Sequence, residues 1–202
     1  MDKKSFSRGA KSHLARGLDL YAKGEFQPEF LFYSALELRF GIESRLREYI
    51  EYQEHVSLKK KRGWQISELN RTVEAAFSGC VSEVHVIAHS NNYPVMKWRY
   101  TPVTPELQGI GEKLGGYLHA PKANDLVSSE QWREFDSLLK RGFELLKYAC
   151  EGSLLGVPLI DSESKLYTLN SQATKDQGDI MSAIRRFGSD IEVEVKYFSP
   201  LV

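Results

Sequence analysis

The chain has little of what usually announces a function. Its 202 residues include two cysteines, Cys80 and Cys150, too few for a disulfide framework or a metal knuckle. Free thiols in a reducing compartment are the expectation. Charge cancels, with 27 cations against 27 anions, so no global basic field advertises nucleic acid. There is no apolar run of about 18 residues and no signal-peptide core, so no membrane partner is implied and a cytoplasmic address is expected. No glycine-rich phosphate loop follows a strand, because Gly109-Ile-Gly111 opens no GxGxxG. No GxSxG occurs, and no Ser/His/Asp order is recognisable. His85 and His89 lie on a strand-like stretch, about 13 Å apart at that rise, too far to share one ion. No metal and no cofactor is implied.

What is present reads as an ordinary globular chain, 42% hydrophobic and 27% charged. It is organised around the stretch 28–55. Leu31, Ala35, Leu38, Ile42, Leu46 and Tyr49 share one helical face, and Phe32, Leu36 and Phe40 add a second apolar row. A two-sided helix belongs between neighbours. Arg39 with Glu43, and Glu43 with Arg47, are spaced to pair along it. Glu37, Arg39 and Glu43 either lie on a solvated face or, if inside, must be paired.

Around that helix the spacing predicts a first helix over 5–23, stopped by Gly24, and a third over 64–77. The basic run Lys59, Lys60, Lys61 and Arg62 between them reads as a loop, either simply solvated or contacting phosphate. Residues 84–101 change period to a β-hairpin turning at Ser90-Asn91-Asn92, with Pro94 and Pro102 marking an edge strand. Thr104-Pro105-Glu106 starts a helix that runs to His119. Its Gly109, Gly111, Gly115 and Gly116 point to close approach of a neighbour or a ligand. Ser128 or Ser129 caps a further helix ending at Gly152. The tail reads as strands at 159–160, 166–169 and 191–197, with a short helix after Asp179. The expected fold class is mainly α: a four- or five-helix bundle over 5–152 with an inserted β-hairpin, and a small C-terminal β appendage over 153–202. The hairpin and the last strand should share one sheet, since a lone hairpin is marginal in water.

The stretch from Glu112 to His119 carries the most suggestive chemistry. A histidine at a helix C-terminus meets the negative end of the helix dipole and suits proton transfer. Lys113 supplies a cation six residues earlier, and Tyr117 lies between. A plain capping histidine is the competing account.

The order of elements resembles the HEPN superfamily, the helical domain named for higher eukaryotes and prokaryotes nucleotide-binding. The match rests on Ala10, Leu14, Leu18, Tyr21, Gly24 and Phe26, on the long helix with Ala35, Glu37 and Glu43, on Leu114-Gly-Gly-Tyr-Leu-His119, and on the closing helix Trp132 to Cys150. It covers roughly residues 6–152. The resemblance implies a homodimer in a bacterial RNA-directed or defence-type system, and a metal-independent ribonuclease as the activity to look for. In that family an arginine, four to six residues, then a histidine form the site. His119 matches the histidine, but Lys113 stands where the arginine would be and lacks its planar fork. Lys59, Lys60, Lys61, Arg62, Glu43, Arg47 and Tyr117 are the expected binding residues for RNA. Two other functions stay open: a non-catalytic subunit docking a protein partner, and a nucleotide-binding module.

Overall fold

A computed structural model describes residues 7–24, 27–51, 56–63, 65–76, 82–119, 128–155, 159–160, 166–168 and 191–201. The fold is mainly helical. Among the described residues the order is α1 (Ala10–Lys23), α2 (Glu29–Glu51), α3 (Leu58–Lys61), α4 (Ile66–Ala76), β1 (Glu83–Ser90), β2 (Tyr93–Tyr100), α5 (Pro105–Leu118), α6 (Ser129–Glu151), β3 (Leu159–Ile160), β4 (Leu166–Thr168) and β5 (Ile191–Phe198). The expected helix after Asp179 falls outside the described residues.

The central helix is α2, packed by α1, α4, α5 and α6. Ala35, Leu38, Ile42, Leu46 and Tyr49 are fully buried on the expected face. The second apolar row splits. Phe32 packs on Trp132 and Phe135, whereas Leu36 and Phe40 remain 38% and 37% exposed. Antiparallel to α2 runs α1, with Ser34 Oγ donating to the Gly17 carbonyl. It starts at Ala10, later than the expected residue 5. There the Glu48 carboxylate accepts the Ala10 N–H and Ser44 Oγ donates to the Arg8 carbonyl. The start is therefore set by α2, a distant segment that local periodicity cannot report.

Both later caps fall where the sequence puts them. Thr104 Oγ1 accepts from the Leu107 N–H at the start of α5. Ser128 and Gln131 make a reciprocal capping box at the start of α6. The basic run is not a loop but the single turn α3, closed by backbone bonds from Lys61 and Arg62. Asn91 and Asn92 take positive φ (51° and 65°), the backbone of a tight hairpin turn. β5 joins the hairpin in the sheet order β2-β1-β5, all antiparallel, and β3 pairs with β4 separately. Pro94 therefore sits on an edge strand, beside an irregularity in the β1–β2 register. Val84, Val86 and Ala88 of β1 and Met96, Trp98 and Tyr100 of β2 face the core. Val195 packs against it too, but Val193, on the same face of the strand, is 43% exposed.

Where α1, α2, the end of the hairpin and α6 converge, the core holds a charge. Arg45 is fully buried. Its Nε donates to Tyr49 Oη (2.9 Å) and to the Ala149 carbonyl (2.8 Å), Nη1 to Glu48 (2.9 Å) and Nη2 to the Gly152 carbonyl (3.2 Å). Tyr49 Oη donates onward to the Thr101 carbonyl, and burial pushes its pKa up to about 12. Removing one partner of a buried charge pair costs about 3–5 kcal/mol. Arg45→Ala should lower the unfolding free energy from urea titration by that scale and shift the midpoint down, while Arg47→Ala two residues on should keep the wild-type midpoint. Equal midpoints for both variants would contradict the account.

Candidate functional site

The predicted catalytic pair is not brought together. His119 caps the C-terminus of α5, exposed, with its backbone N–H on the Gly115 carbonyl (3.2 Å). Lys113 is exposed in an open groove between α5 and α6, beside Gly109, Ile110, Arg133 and Arg141. Six residues of helix set the two side chains about 120° apart around the axis. The groove is acidic as well as basic, since Glu106 holds Arg141 through two hydrogen bonds (2.8 and 2.7 Å). Tyr117, an expected binding residue, stacks on Phe135 with ring centres 4.6 Å apart. Its ring joins Phe32 and Trp132 in an aromatic cluster that closes this end of the bundle.

The glycines of α5 divide into two pairs. A Cβ on Gly109 or Gly116 would meet nothing within 4 Å among the described residues. A Cβ on Gly111 would meet Ile66 and Ile42, and one on Gly115 would run into the Arg39 guanidinium. Close approach is thus the role of Gly111 and Gly115, and the neighbours are side chains of α2 and α4, not a ligand. The same contacts show α5 antiparallel to α2. They lay the Arg39 guanidinium over α5 one turn before His119.

Glu43 is half-buried and pairs with Arg39 (Nε to Oε1, 3.2 Å), as the spacing predicts. It is not on a solvated face. The expected Glu43–Arg47 pair is replaced by a bond from Arg47 Nη2 to the Gly63 carbonyl (3.0 Å). That bond brings Arg47 to the basic turn. Lys61 Nζ reaches the Glu51 carbonyl (2.6 Å), while Lys59, Lys60 and Arg62 are exposed. Arg8 shares a groove with Arg47, so two basic segments remote in sequence meet at one end. That end is not the His119 end. Eight residues of α2 separate Arg39 from Arg47 and four of α5 separate Gly115 from His119, about 18 Å along the axes together.

Two ionic clusters were not among the predicted site residues. His13 is buried, with Nδ1 2.7 Å from Glu37 Oε2, and Arg16 binds both oxygens of the same carboxylate (3.1 and 3.2 Å). Burial alone would raise the Glu37 pKa, but the bonds from Arg16 and His13 outweigh it and hold the carboxyl below its ordinary value. The stretch Arg8-Gly-Ala-Lys-Ser-His13 also places four residues between an arginine and a histidine, a signal available from sequence. The structure makes His13 a packed link between α1 and α2.

Glu83 ties the sheet to α6. His85 Nε2 lies 2.6 Å from one oxygen and Tyr148 Oη donates to the other (2.8 Å). Arg99 Nε is 2.7 Å away as an ion pair, without the alignment of a hydrogen bond. Here too burial opposes ionisation and the partners win, so the carboxyl titrates below its ordinary value. Burial raises the thiol of Cys150 to about 11, which leaves it unreactive near neutrality. Cys80 lies outside the described residues. Among the described residues no three His, Cys, Asp or Glu side chains are grouped to hold a metal ion, and no helix is long and apolar enough to cross a membrane. No family model matches the chain, and searches of curated proteins and of solved structures returned no match either.

The two depressed carboxylates fix a pH dependence. Their stabilisation is present above the unfolded value of about 4.3 and is lost as pH falls through the lower folded values. Melting temperature should therefore drop between about pH 5 and pH 3, and Glu83→Gln should flatten that acid limb while lowering the plateau near pH 7. An unchanged acid limb in Glu83→Gln would show that the cluster does not carry it.

Proposed function

We propose that the chain is a HEPN-like interaction module that works as a homodimer, in a bacterial RNA-directed or defence-type setting in the cytoplasm. One observation carries the reading. Tyr33, Leu36 and Phe40 form a continuous apolar row on the outer face of α2, at steps of three and four, on a helix whose other faces are packed. Tyr33 is 55% exposed. A self-complementary row on a central helix suits a two-fold contact, in which the same patch serves both subunits. Arg16, Glu37 and Arg39 flank the row and are already engaged, so docking there desolvates few free charges.

Metal-independent RNA cleavage is the second reading, and a different observation favours it. His119 is exposed at the C-terminus of α5, and the Arg39 guanidinium of α2 packs over that helix one turn before it. In a dimer through α2, two copies of His119 would approach one interface. One would take the 2′-hydroxyl proton and the other protonate the leaving oxygen, each transfer worth about 10²–10⁴-fold. Arg39, which would have to leave Glu43 to meet phosphate, packs on α5 one turn before His119, whereas Lys113 faces the α6 groove.

Sedimentation equilibrium across micromolar concentrations should show the wild type self-associating, and Phe40→Glu should weaken the α2 contact by at least about tenfold in Kd. A monomeric wild type would end the dimer reading. For cleavage, wild type, His119→Ala and Arg39→Ala should be assayed on RNA in excess chelator. Activity lost with His119 supports the second reading. Absent activity, or equal activity in the His119 variant, leaves the non-catalytic module.

A further inference from the structure

The sheet has two edges, and they are built differently. Along β2 the outer edge carries Pro94 and an irregular register, devices that discourage another strand from pairing. The far edge is β5, which among the described residues has a neighbour on one side only. It runs regularly from Ile191 to Phe198 without proline, and every residue from Glu83 to Ser90 of β1 is matched to it in unbroken register. Its side chains alternate by face. Val193, Val195 and Tyr197 lie over the same side as the core residues Val84, Val86 and Ala88, and Glu192, Glu194 and Lys196 lie on the other.

We propose that β5 is the docking edge for a second copy of this chain, joined antiparallel about a two-fold axis at Val195. The occupant is identified by charge. Centred on Val195, the pairing sets Glu194 opposite the partner's Lys196, and by symmetry Lys196 opposite the partner's Glu194. Val195 then meets the partner's Val195, and Val193 meets the partner's Tyr197 on the apolar side. The two residues that would cross-pair already attract each other within one strand, Lys196 Nζ lying 3.0 Å from Glu194 Oε1. Neighbouring registers are worse. A two-fold at Val193 puts Glu192 against the partner's Glu194, one at Glu194 puts that acid against its own copy, and one at Lys196 does the same with the lysine. Like charges directly opposite are destabilising, and of the registers that pair more than half of the strand only the one at Val195 avoids them. The result is one continuous six-stranded sheet across the two copies.

This contact lies on the sheet and does not depend on the α2 row. Two distinct two-fold contacts on one chain build assemblies larger than a dimer. The test is therefore run in the Phe40→Glu chain, where α2 pairing is disfavoured, by sedimentation equilibrium with circular dichroism as the check on folding. The Phe40→Glu chain should still dimerise. Glu194→Lys and Lys196→Glu singly should each weaken that dimer by about tenfold or more, since each turns two attractive cross-strand pairs into repulsive ones. The double exchange, Glu194→Lys with Lys196→Glu, should restore it, because the pairs are rebuilt with signs reversed. A folded Phe40→Glu chain that stays monomeric, or single variants that dimerise as tightly as their parent, would overturn the proposal. If the wild type never dimerises through α2, Phe40→Glu simply matches it, and the β5 outcome is read unchanged.

Discussion

One buried guanidinium sets the frame for the rest of the molecule. Taking a charge out of water costs several kcal/mol, and only close partners repay it. Arg45 has them from three directions: Glu48 and Tyr49 on its own helix, and the Ala149 and Gly152 carbonyls at the C-terminal end of α6. That end is the negative pole of the helix, so the cation and the unpaired carbonyls satisfy each other. Each partner then fixes a neighbour. Glu48 takes the first N–H of α1, and Tyr49 and Gly152 both bond Thr101, where the hairpin leaves the sheet. A side chain at residue 152 would collide with Thr101, so the glycine is dictated by the same junction. Four chain segments are thereby held in register at one point, the specifying role that buried charges can serve.

The same logic explains why a chain rich in charge has so little field. Glu37 joins α1 to α2 through Arg16 and His13, and Glu83 joins the sheet to α6 through Tyr148 and Arg99. These carboxylates are absorbed in holding elements together. The exposed basic turn Lys59, Lys60 and Arg62 lies with Arg47 at the α2–α3 end, away from His119, so that turn and the histidine are not colocated within one copy. An RNA site that needs both must span subunits or do without the basic turn.

The sequence made the architecture legible because periodicity, caps and turn residues act locally. Thr104-Pro105, Ser128 with Gln131 and the Asn91-Asn92 turn each do in the structure what their chemistry implies. The knot at Arg45 was not legible, although a trace of it is there. Leu38, Ile42, Arg45 and Tyr49 follow helical spacing, so the arginine occupies a core position within an apolar row. For the acids of α2, spacing gives the Arg39–Glu43 pair, but whether that pair is half-buried depends on α5, and on Gly115 there, which admits Arg39. His119 and Lys113 share a short stretch of sequence, yet helix geometry turns them apart. Proximity in sequence is a poor guide to shared chemistry on a helix.

What the fold leaves uncommitted is apolar surface and backbone, not charge. On the helical side it is the outer row of α2, and on the sheet side the edge of β5 that has no neighbour among the described residues. Both are suited to contact with a like surface, the first by a repeating apolar row and the second by an alternation of sign that only one register satisfies. The Arg45 knot matters here as well. It ties α2 to the exit of β2 and to the end of α6, so the two faces are presented by one bonded framework and not by separately hinged parts. Contacts made at one face should leave the other in place, and assembly would then follow from fixed geometry without a conformational switch. A function built on such contacts needs no cofactor pocket and no strained catalytic loop. It needs the bundle to hold still, which is what its buried charges accomplish.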